Sequence, residues 1–230
     1  MFKYLPLFLP SMTIILAAQA RDGIVVAYDT AIPDLETRAI TGHQHKVYPT
    51  GKGDVILGVA GWGNDVTARI LSAKLRDASP DQYFQIIDAA IARQRQVDRE
   101  IFEEQHDKGM KLPDWLQQTK LCTYVLGFHR PPDYVLLANS SYKQQNIQRV
   151  STAAIGSGAY PDVVQLLEGQ CDPSRSVEEL LPVLHRALNR AKAVDQRSYR
   201  LLGGHGFGVL DSSGYRIVDS SIHQRSTSFR

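Results

Sequence analysis

A hydroxyl and a carboxylate lie at one end of the first hairpin that the sequence predicts. One apolar run begins at Thr13, a second ends just before Asp29, and Asp22-Gly23 joins them as a pair typical of tight turns. This turn makes Leu16 the partner of Asp29, and strict alternation puts Thr13 and Asp29 on opposite faces unless a bulge intervenes. The two residues indicate either the floor of a nucleophilic site or an ordinary pair of core strands.

The elements that must position these residues are predicted in blocks. Strands lead into two helices, a second group of strands, two more helices and a final hairpin, while 30–44 reads as a polar loop. Predicted strands after the first hairpin cover 55–59, 121–128, 134–138, 147–150, 153–155, 206–210 and 215–218, and predicted helices begin near Asn64, Pro80, Pro161 and Val177. Such blocks favour stacked antiparallel sheets over a doubly wound parallel sheet. We therefore predict an α+β fold, a four-layer αββα sandwich of two stacked antiparallel sheets flanked by helix pairs.

Composition limits the classes of function. The 230 residues are 43% hydrophobic, which is enough for a sizeable core, and we predict a single domain over 13–230. A net charge of +2, from 26 basic and 24 acidic residues, gives no indication of nucleic-acid binding. Two cysteines and seven scattered histidines lack the spacing of metal ligands, so neither a metal nor another cofactor is expected.

The first twenty residues admit two interpretations. Lys3, an apolar run and Ala18-Gln19-Ala20 are similar to a signal peptide with its cleavage site. Prolines interrupt that run, however, and the part from Thr13 onward pairs naturally with the following strand. We therefore expect residues 1–12 to be a leader or a misassigned start that is removed. No later segment is long and apolar enough to span a bilayer, and no membrane partner is expected.

Six features follow one another in an order typical of one enzyme family. They are Thr13 after a methionine, Val25-Val26-Ala27-Tyr28-Asp29, the lysine of Lys46-Val47, Gly61 after Val59-Ala60, Gly156-Ser157-Gly158, and Asp195 with Ser198 three residues later. Together they resemble the catalytic β-type subunits of the proteasome and the related bacterial proteasome-like peptidase, which are N-terminal-nucleophile hydrolases. The resemblance covers about Thr13 to Asp219.

The resemblance implies a threonine-type endopeptidase. Thr13 would be the terminal nucleophile and its own α-amine the base, since an α-amine has a pKa of about 8 and is partly neutral at pH 7. Lys46 would lower the pKa of that amine, Asp29 would hold the lysine, and the N–H of Gly61 would stabilise the oxyanion. The residues that would orient the amine and a water are Ser157, Asp195 and Ser198.

The same resemblance implies a biological setting. It points to unfolded polypeptide or peptide substrates, to other subunits of a homo- or hetero-oligomeric ring, to an ATPase unfoldase as a partner, and to a cytoplasmic location. These are expectations carried by the family and not by the composition.

Departures from the family's pattern leave alternatives open. Lys46 lies one residue further from Asp29 than the family's spacing, Pro33 has no N–H to offer a substrate, and Trp62 stands where a glycine is usual. Thr13 is internal as written and follows a methionine, where self-cleaving relatives have glycine. A non-catalytic ring subunit and a hydrolase of small amides therefore remain alternatives to the peptidase.

Overall fold

The computed structural model describes residues 13–33, 39–50, 53–61, 64–107, 123–139, 146–156, 158–198 and 202–222. Within these ranges the chain forms twelve strands in three sheets, together with four helices. The expected leader, residues 1–12, lies outside the described residues. The single domain over 13–230 stays a prediction.

The first sheet has five antiparallel strands and contains the predicted first hairpin. In spatial order the strands are β10 (Thr152–Ile155), β1 (Ile15–Ala20), β2 (Gly23–Tyr28), β11 (Gly206–Asp211) and β12 (Gly214–Ser220). β1 and β2 are buried along nearly their whole length, as expected for central strands with both faces covered. The predicted first and last hairpins are thus confirmed, and they lie side by side.

The register of the first hairpin differs from the predicted one by two residues. Arg21 and Asp22 form the turn, and Gly23 already belongs to the second strand. Leu16 therefore opposes Ala27 instead of Asp29. The Asp-Gly pair marked the right place for the turn but not which two residues occupy it.

The second sheet also has five antiparallel strands. In spatial order they are β5 (Val47–Thr50), β6 (Val55–Ala60), β7 (Thr123–Arg130), β8 (Asp133–Asn139) and β9 (Gln148–Arg149). A third, two-stranded sheet consists of β3 (Ala31–Pro33) and β4 (Ile40–His43). This small sheet lies in the segment that was expected to be a loop.

Four helices are present in the described part of the chain: α1 (Asn64–Arg76), α2 (Pro80–Asp107), α3 (Pro161–Gln170) and α4 (Val177–Ser198). A capping box begins α4, because the N–H of Ser176 donates to Glu179 Oε2 over 2.8 Å and the N–H of Glu179 donates to Ser176 Oγ over 3.3 Å. Asp22 Oδ1 accepts the N–H of Val177 over 2.8 Å. The hairpin turn therefore also caps α4 and fixes this helix against the first sheet.

Three apolar clusters hold these elements together. One lies between α3, α4 and the first sheet and includes Leu16 and Leu184. A second lies between α1, α2 and the second sheet and includes Leu57 and Ile87. The third is shared by the two large sheets and includes Ile15. Successive residues of β1 thus point into two different clusters, which explains why this strand reads as a continuous apolar run.

The predicted fold class is wrong. The four-layer αββα sandwich of two sheets and helix pairs has no place for the third sheet, and the described residues give a strand-rich arrangement of twelve strands in three sheets with only four helices. The error arises at 30–44, where polar residues and Pro33 hid two short strands. Strands of three or four residues contain too few positions for alternation to show.

None of the helices in the described ranges has the length and apolar character needed to cross a bilayer.

Gly23 offers a test of how closely β2 packs against β11 and α4. A Cβ at Gly23 would lie 2.5 Å from Leu210 O and 2.9 Å from Val177 Cγ2, whereas a Cβ at Gly169 on α3 meets nothing within 4 Å. We expect Gly23→Ala to lower the free energy of unfolding by about 1–3 kcal/mol through overpacking. Gly169→Ala should leave it unchanged or raise it by up to about 1 kcal/mol. Equal urea midpoints for the two variants would contradict this close packing.

Candidate active site

A buried ion pair joins two of the residues that the sequence singled out. Lys46 Nζ lies 2.8 Å from Asp29 Oδ2 and donates a longer hydrogen bond of 3.3 Å to Thr13 Oγ1. The exposed fractions of Thr13, Asp29 and Lys46 are 1%, 0% and 2%. One ammonium therefore contacts both the hydroxyl and the carboxylate.

The strand ends explain how Thr13 and Asp29 reach the same ammonium. Both residues lie just beyond the strands, because β1 begins at Ile15 and β2 ends at Tyr28. Asp29 Oδ1 turns back to accept the N–H of Ile14 over 2.9 Å, and the N–H of Asp29 donates to Ile14 O over 3.2 Å. Strict alternation does not constrain side chains beyond the ladder, so the predicted conflict between the two faces is resolved here.

The electrostatics of Asp29 combine two opposed effects. Burial raises the pKa of the Asp29 carboxyl, while the Lys46 ammonium and the N–H of Ile14 act in the opposite direction. A buried carboxylate of this kind needs its cationic neighbour. The ion pair is therefore a structural requirement of this corner of the fold as well as a candidate chemical device.

The predicted glycine turn contacts the backbone of Thr13. The N–H of Gly158 donates to Thr13 O over 3.2 Å. Gly156 has a φ of 91°, and a Cβ there would lie only 2.1 Å from Thr13 O. Glycine is required at Gly156 both by this φ and by this close approach. The turn thus fixes the position of the Thr13 carbonyl.

The remaining predicted site residues are placed less completely. Gly61 directly follows β6 with a φ of 130°, and the preceding Ala60 lies beside Gly156. Asp195 is fully buried on α4, where its Oδ2 accepts the N–H of Leu202 over 2.7 Å. Ser198 is the last residue of α4, but neither its side chain nor Ser157 belongs to the described residues. The roles of these four residues stay predictions.

The segment after α4 reaches the ion pair in a way that was not expected. Gly203 O accepts the N–H groups of both Thr30 and Ala31, each over 3.0 Å. Since Asp195 holds the neighbouring Leu202, the helix is connected through this segment to the residue that follows Asp29.

Sequence reasoning also missed polar neighbours of the ion pair. Tyr28 O–H lies 2.8 Å from His45 Nδ1, and Thr30 Oγ1 lies 2.9 Å from His43 Nδ1. Burial lowers the pKa of Lys192 on α4, and the charge of Asp29 opposes this shift. The alternating histidines before Lys46 were the sequence signal that could have indicated the first two contacts. No sequence signal indicated the position of Lys192.

The arrangement of donors favours attack by the Thr13 hydroxyl. An ammonium can only donate hydrogen bonds, so Thr13 Oγ1 accepts from Lys46 and does not use its own proton in this contact. The positive charge would also stabilise the oxygen as that proton leaves. Among the residues that the structure describes, no group of three histidine, cysteine, aspartate or glutamate side chains could hold a metal ion.

No protein-family model matches the chain, and no curated protein matches it.

The buried ion pair can be tested by removing its members singly and together. We expect Lys46→Met and Asp29→Asn each to lower the free energy of unfolding by about 3–5 kcal/mol, because each leaves a buried polar or charged group without its partner. The double variant should lose clearly less free energy of unfolding than the sum of the losses in the two single variants. Urea unfolding measures all three, and additive losses would contradict a direct pair.

The Lys46→Met variant should also depend on pH in a defined direction. Without the ammonium, burial raises the pKa of Asp29 further above its unfolded value, so the folded state binds a proton more tightly. The defect should therefore be largest near pH 7 and should shrink as the pH falls below the pKa of Asp29 in the variant. A defect that grows on acidification, measured by urea unfolding at several pH values, would contradict this reasoning.

Proposed function

We propose that the protein is a threonine-type endopeptidase that cleaves peptide bonds with Thr13 as its nucleophile. The observation that carries the proposal is the position of Lys46 Nζ, 2.8 Å from Asp29 Oδ2 and 3.3 Å from Thr13 Oγ1. A lysine held by a carboxylate beside a buried hydroxyl is the arrangement that an activated nucleophile requires. Because the ion pair is also required by the fold, the contact of Lys46 Nζ with Thr13 Oγ1 is the part of this geometry that supports the proposal.

The proposed reaction uses the α-amine of Thr13 as its base. Once Thr13 is the first residue, the neutral amine takes the hydroxyl proton directly or through a water, and Oγ1 attacks the carbonyl carbon of the scissile bond. The C–N bond then breaks, the proton goes to the leaving amine, and an ester remains on Thr13. Water hydrolyses this ester and regenerates the hydroxyl, so no external co-reactant is needed.

The surrounding residues have separate tasks in this proposal. The charge of Lys46 favours the neutral amine and stabilises the developing negative charge on Oγ1. The N–H of Gly61 is the proposed oxyanion donor, an effect worth about 3 kcal/mol per donor. The turn that contains Gly156 and Gly158 keeps the Thr13 backbone in place, and Ser157, Asp195 and Ser198 are proposed to orient the amine and a water.

The proposal requires removal of the residues that precede Thr13. While Thr13 is joined to Met12 by a peptide bond it has no free amine, and in the chain that carries residues 1–12 its side chain is almost completely buried. The proposal therefore predicts that the chain is active only after Thr13 becomes terminal.

The proposed setting follows the family resemblance. Polypeptide substrates, assembly into a ring with other subunits, an ATPase unfoldase as partner and a cytoplasmic location are all part of the proposal. The proposed chemistry of the site is independent of these, because it needs only an amide carbonyl within reach of Thr13. A small-molecule amide hydrolase is accordingly the first alternative.

A non-catalytic ring subunit is the second alternative, and one observation favours it. Asp29 Oδ2 accepts a hydrogen bond from Lys46, and Asp29 Oδ1 accepts the N–H of Ile14. The ion pair can therefore have a purely structural role. In that case Thr13 would remain internal and its hydroxyl would only complete the hydrogen bonds of Lys46.

The test compares full-length chains with chains that begin at Thr13, released from a cleavable N-terminal fusion. We expect the shortened chain to hydrolyse a fluorogenic peptide and Thr13→Ala to lower kcat/KM by at least about a thousandfold. Thr13→Ser should keep measurable activity because it retains a hydroxyl and an amine. Thr41→Ala, at an exposed position of β4, is the matched control and should keep full activity.

The outcomes separate the three functions. Peptide hydrolysis that is lost in Thr13→Ala but kept in Thr41→Ala supports the peptidase. Hydrolysis of small amides with no hydrolysis of peptides supports the amide hydrolase. If the chain that begins at Thr13 hydrolyses neither peptides nor small amides, the result supports the non-catalytic ring subunit. Intact-mass measurement of the purified full-length chain shows independently whether Thr13 becomes terminal.

A further inference from the structure

Two hydrogen bonds connect the neighbours of Asp29 with the neighbours of Lys46. Tyr28, directly before Asp29, is bonded to His45, directly before Lys46, over 2.8 Å. On the other side Thr30 Oγ1 is bonded to His43 Nδ1 over 2.9 Å. The backbone adds a third bond, because the N–H of Gln44 donates to Thr30 O over 2.8 Å. The ion pair is thus flanked on both sides by contacts between the same two segments, 28–30 and 43–46.

The Tyr28 side of this arrangement is rigidly set. A Cβ at Gly206 would lie 2.4 Å from Tyr28 Cζ, so the ring lies directly over β11 and its hydroxyl is aimed from there. The rings of Tyr28 and His45 also meet edge to face, with centroids 6.0 Å apart. Burial raises the pKa of Tyr28 to about 12 and lowers the pKa of His45. At neutral pH the hydrogen bond therefore joins a neutral hydroxyl to an uncharged imidazole.

The Thr30 side is connected to the far end of the chain. Thr30 Oγ1 also lies 3.1 Å from Ser221 Oγ, and Ser221 Oγ accepts the N–H of His205 over 2.7 Å. Gly204 has a φ of 60°, and a Cβ there would lie 2.1 Å from Thr30 Oγ1. The hydroxyl that holds His43 therefore has little freedom to move.

We propose that His45 with Tyr28, and His43 with Thr30, are positioning residues that hold Lys46 Nζ between Asp29 and Thr13. The proposal rests on the proposed function, because it assigns these residues a task in that reaction. None of the four is proposed to touch the substrate.

Physical reasons make such positioning necessary. A lysine side chain has four rotatable carbons and carries about 2 kcal/mol of rotamer entropy, so its ammonium does not stay in place unaided. Lys46 comes from a segment that joins β4 to β5, whereas Asp29 follows β2, so no single element holds both. A displacement of about 1 Å at a catalytic group lowers a rate by about a hundredfold. His43 and His45 connect the two segments next to Lys46, where a displacement of its ammonium from Asp29 would arise.

The experiment measures the positioning without turnover. The pKa of Asp29 is followed by carbon NMR of its carboxyl group in the full-length chain, in which Thr13 is internal. Tyr28→Phe removes the hydroxyl, His45→Leu removes the imidazole, and His45→Asn restores a side-chain amide that can donate or accept near the position of Nδ1. Both of the first two variants should raise the pKa of Asp29 above its wild-type value, because Lys46 is no longer held beside it. His45→Asn should restore most of the wild-type value.

The second readout is kinetic and uses chains that begin at Thr13. Loss of the Tyr28–His45 bond should lower kcat about tenfold and leave KM within about twofold, because the defect lies in the reacting groups and not in substrate binding. His185→Leu is the matched control. This exposed histidine on α4 stacks on Phe207 at 5.3 Å and is not part of the paired segments, so its replacement should change neither the pKa of Asp29 nor kcat.

The outcomes distinguish this inference from the proposed function. An unchanged pKa of Asp29 together with an unchanged kcat in Tyr28→Phe and His45→Leu overturns the positioning role, even if the wild type is an active peptidase. A raised pKa of Asp29 in these variants supports the positioning role, even if the wild type cleaves no peptide, in which case only the proposed function fails. Tyr28→Phe keeps its ring and so tests the same bond if His45→Leu does not fold.

Discussion

The buried contact between Asp29 and Lys46 is the interaction on which the rest of the site depends. Two opposite charges with almost no exposed surface are stable only when each finds partners, since an unpaired buried charge is costly. Asp29 uses one oxygen for Lys46 and the other for the N–H of Ile14. The start of β1, the end of β2 and the segment before β5 must therefore converge at one point, and Thr13 is carried to the ammonium by that convergence.

Backbone groups complete the surroundings of this pair. The turn with Gly156 and Gly158 packs on the carbonyl of Thr13, and Gly203 O receives the two N–H groups that follow Asp29. At Gly156 this contact requires both a φ that other residues avoid and an approach closer than a Cβ would permit. The backbone of these glycines thus holds Thr13 and the residues that follow Asp29, while the apolar clusters on the two faces of β1 hold that strand in place.

Much of this could be predicted from local patterns, and the failures have physical causes. The hairpin signal, the capping box at Ser176 and the apolar stripes of the helices depend on neighbours in sequence, so they were visible without the fold. The register was not, because Asp22 caps α4, a contact made across 155 positions of the chain. The third sheet and the roles of His43 and His45 were likewise hidden, since short strands and single histidines acquire meaning only from what lies opposite them.

The proposed function depends on Lys46 and Asp29 making Thr13 a nucleophile. The most direct measurement is covalent labelling of a chain that begins at Thr13 with a peptide that carries a β-lactone, which a nucleophile opens to form an ester. We predict one adduct per chain, located on Thr13 by tandem mass spectrometry, formed rapidly by the wild type and at least about a hundredfold more slowly by Lys46→Met. An adduct elsewhere, no adduct, or a rate on Thr13 that does not depend on Lys46 would contradict it.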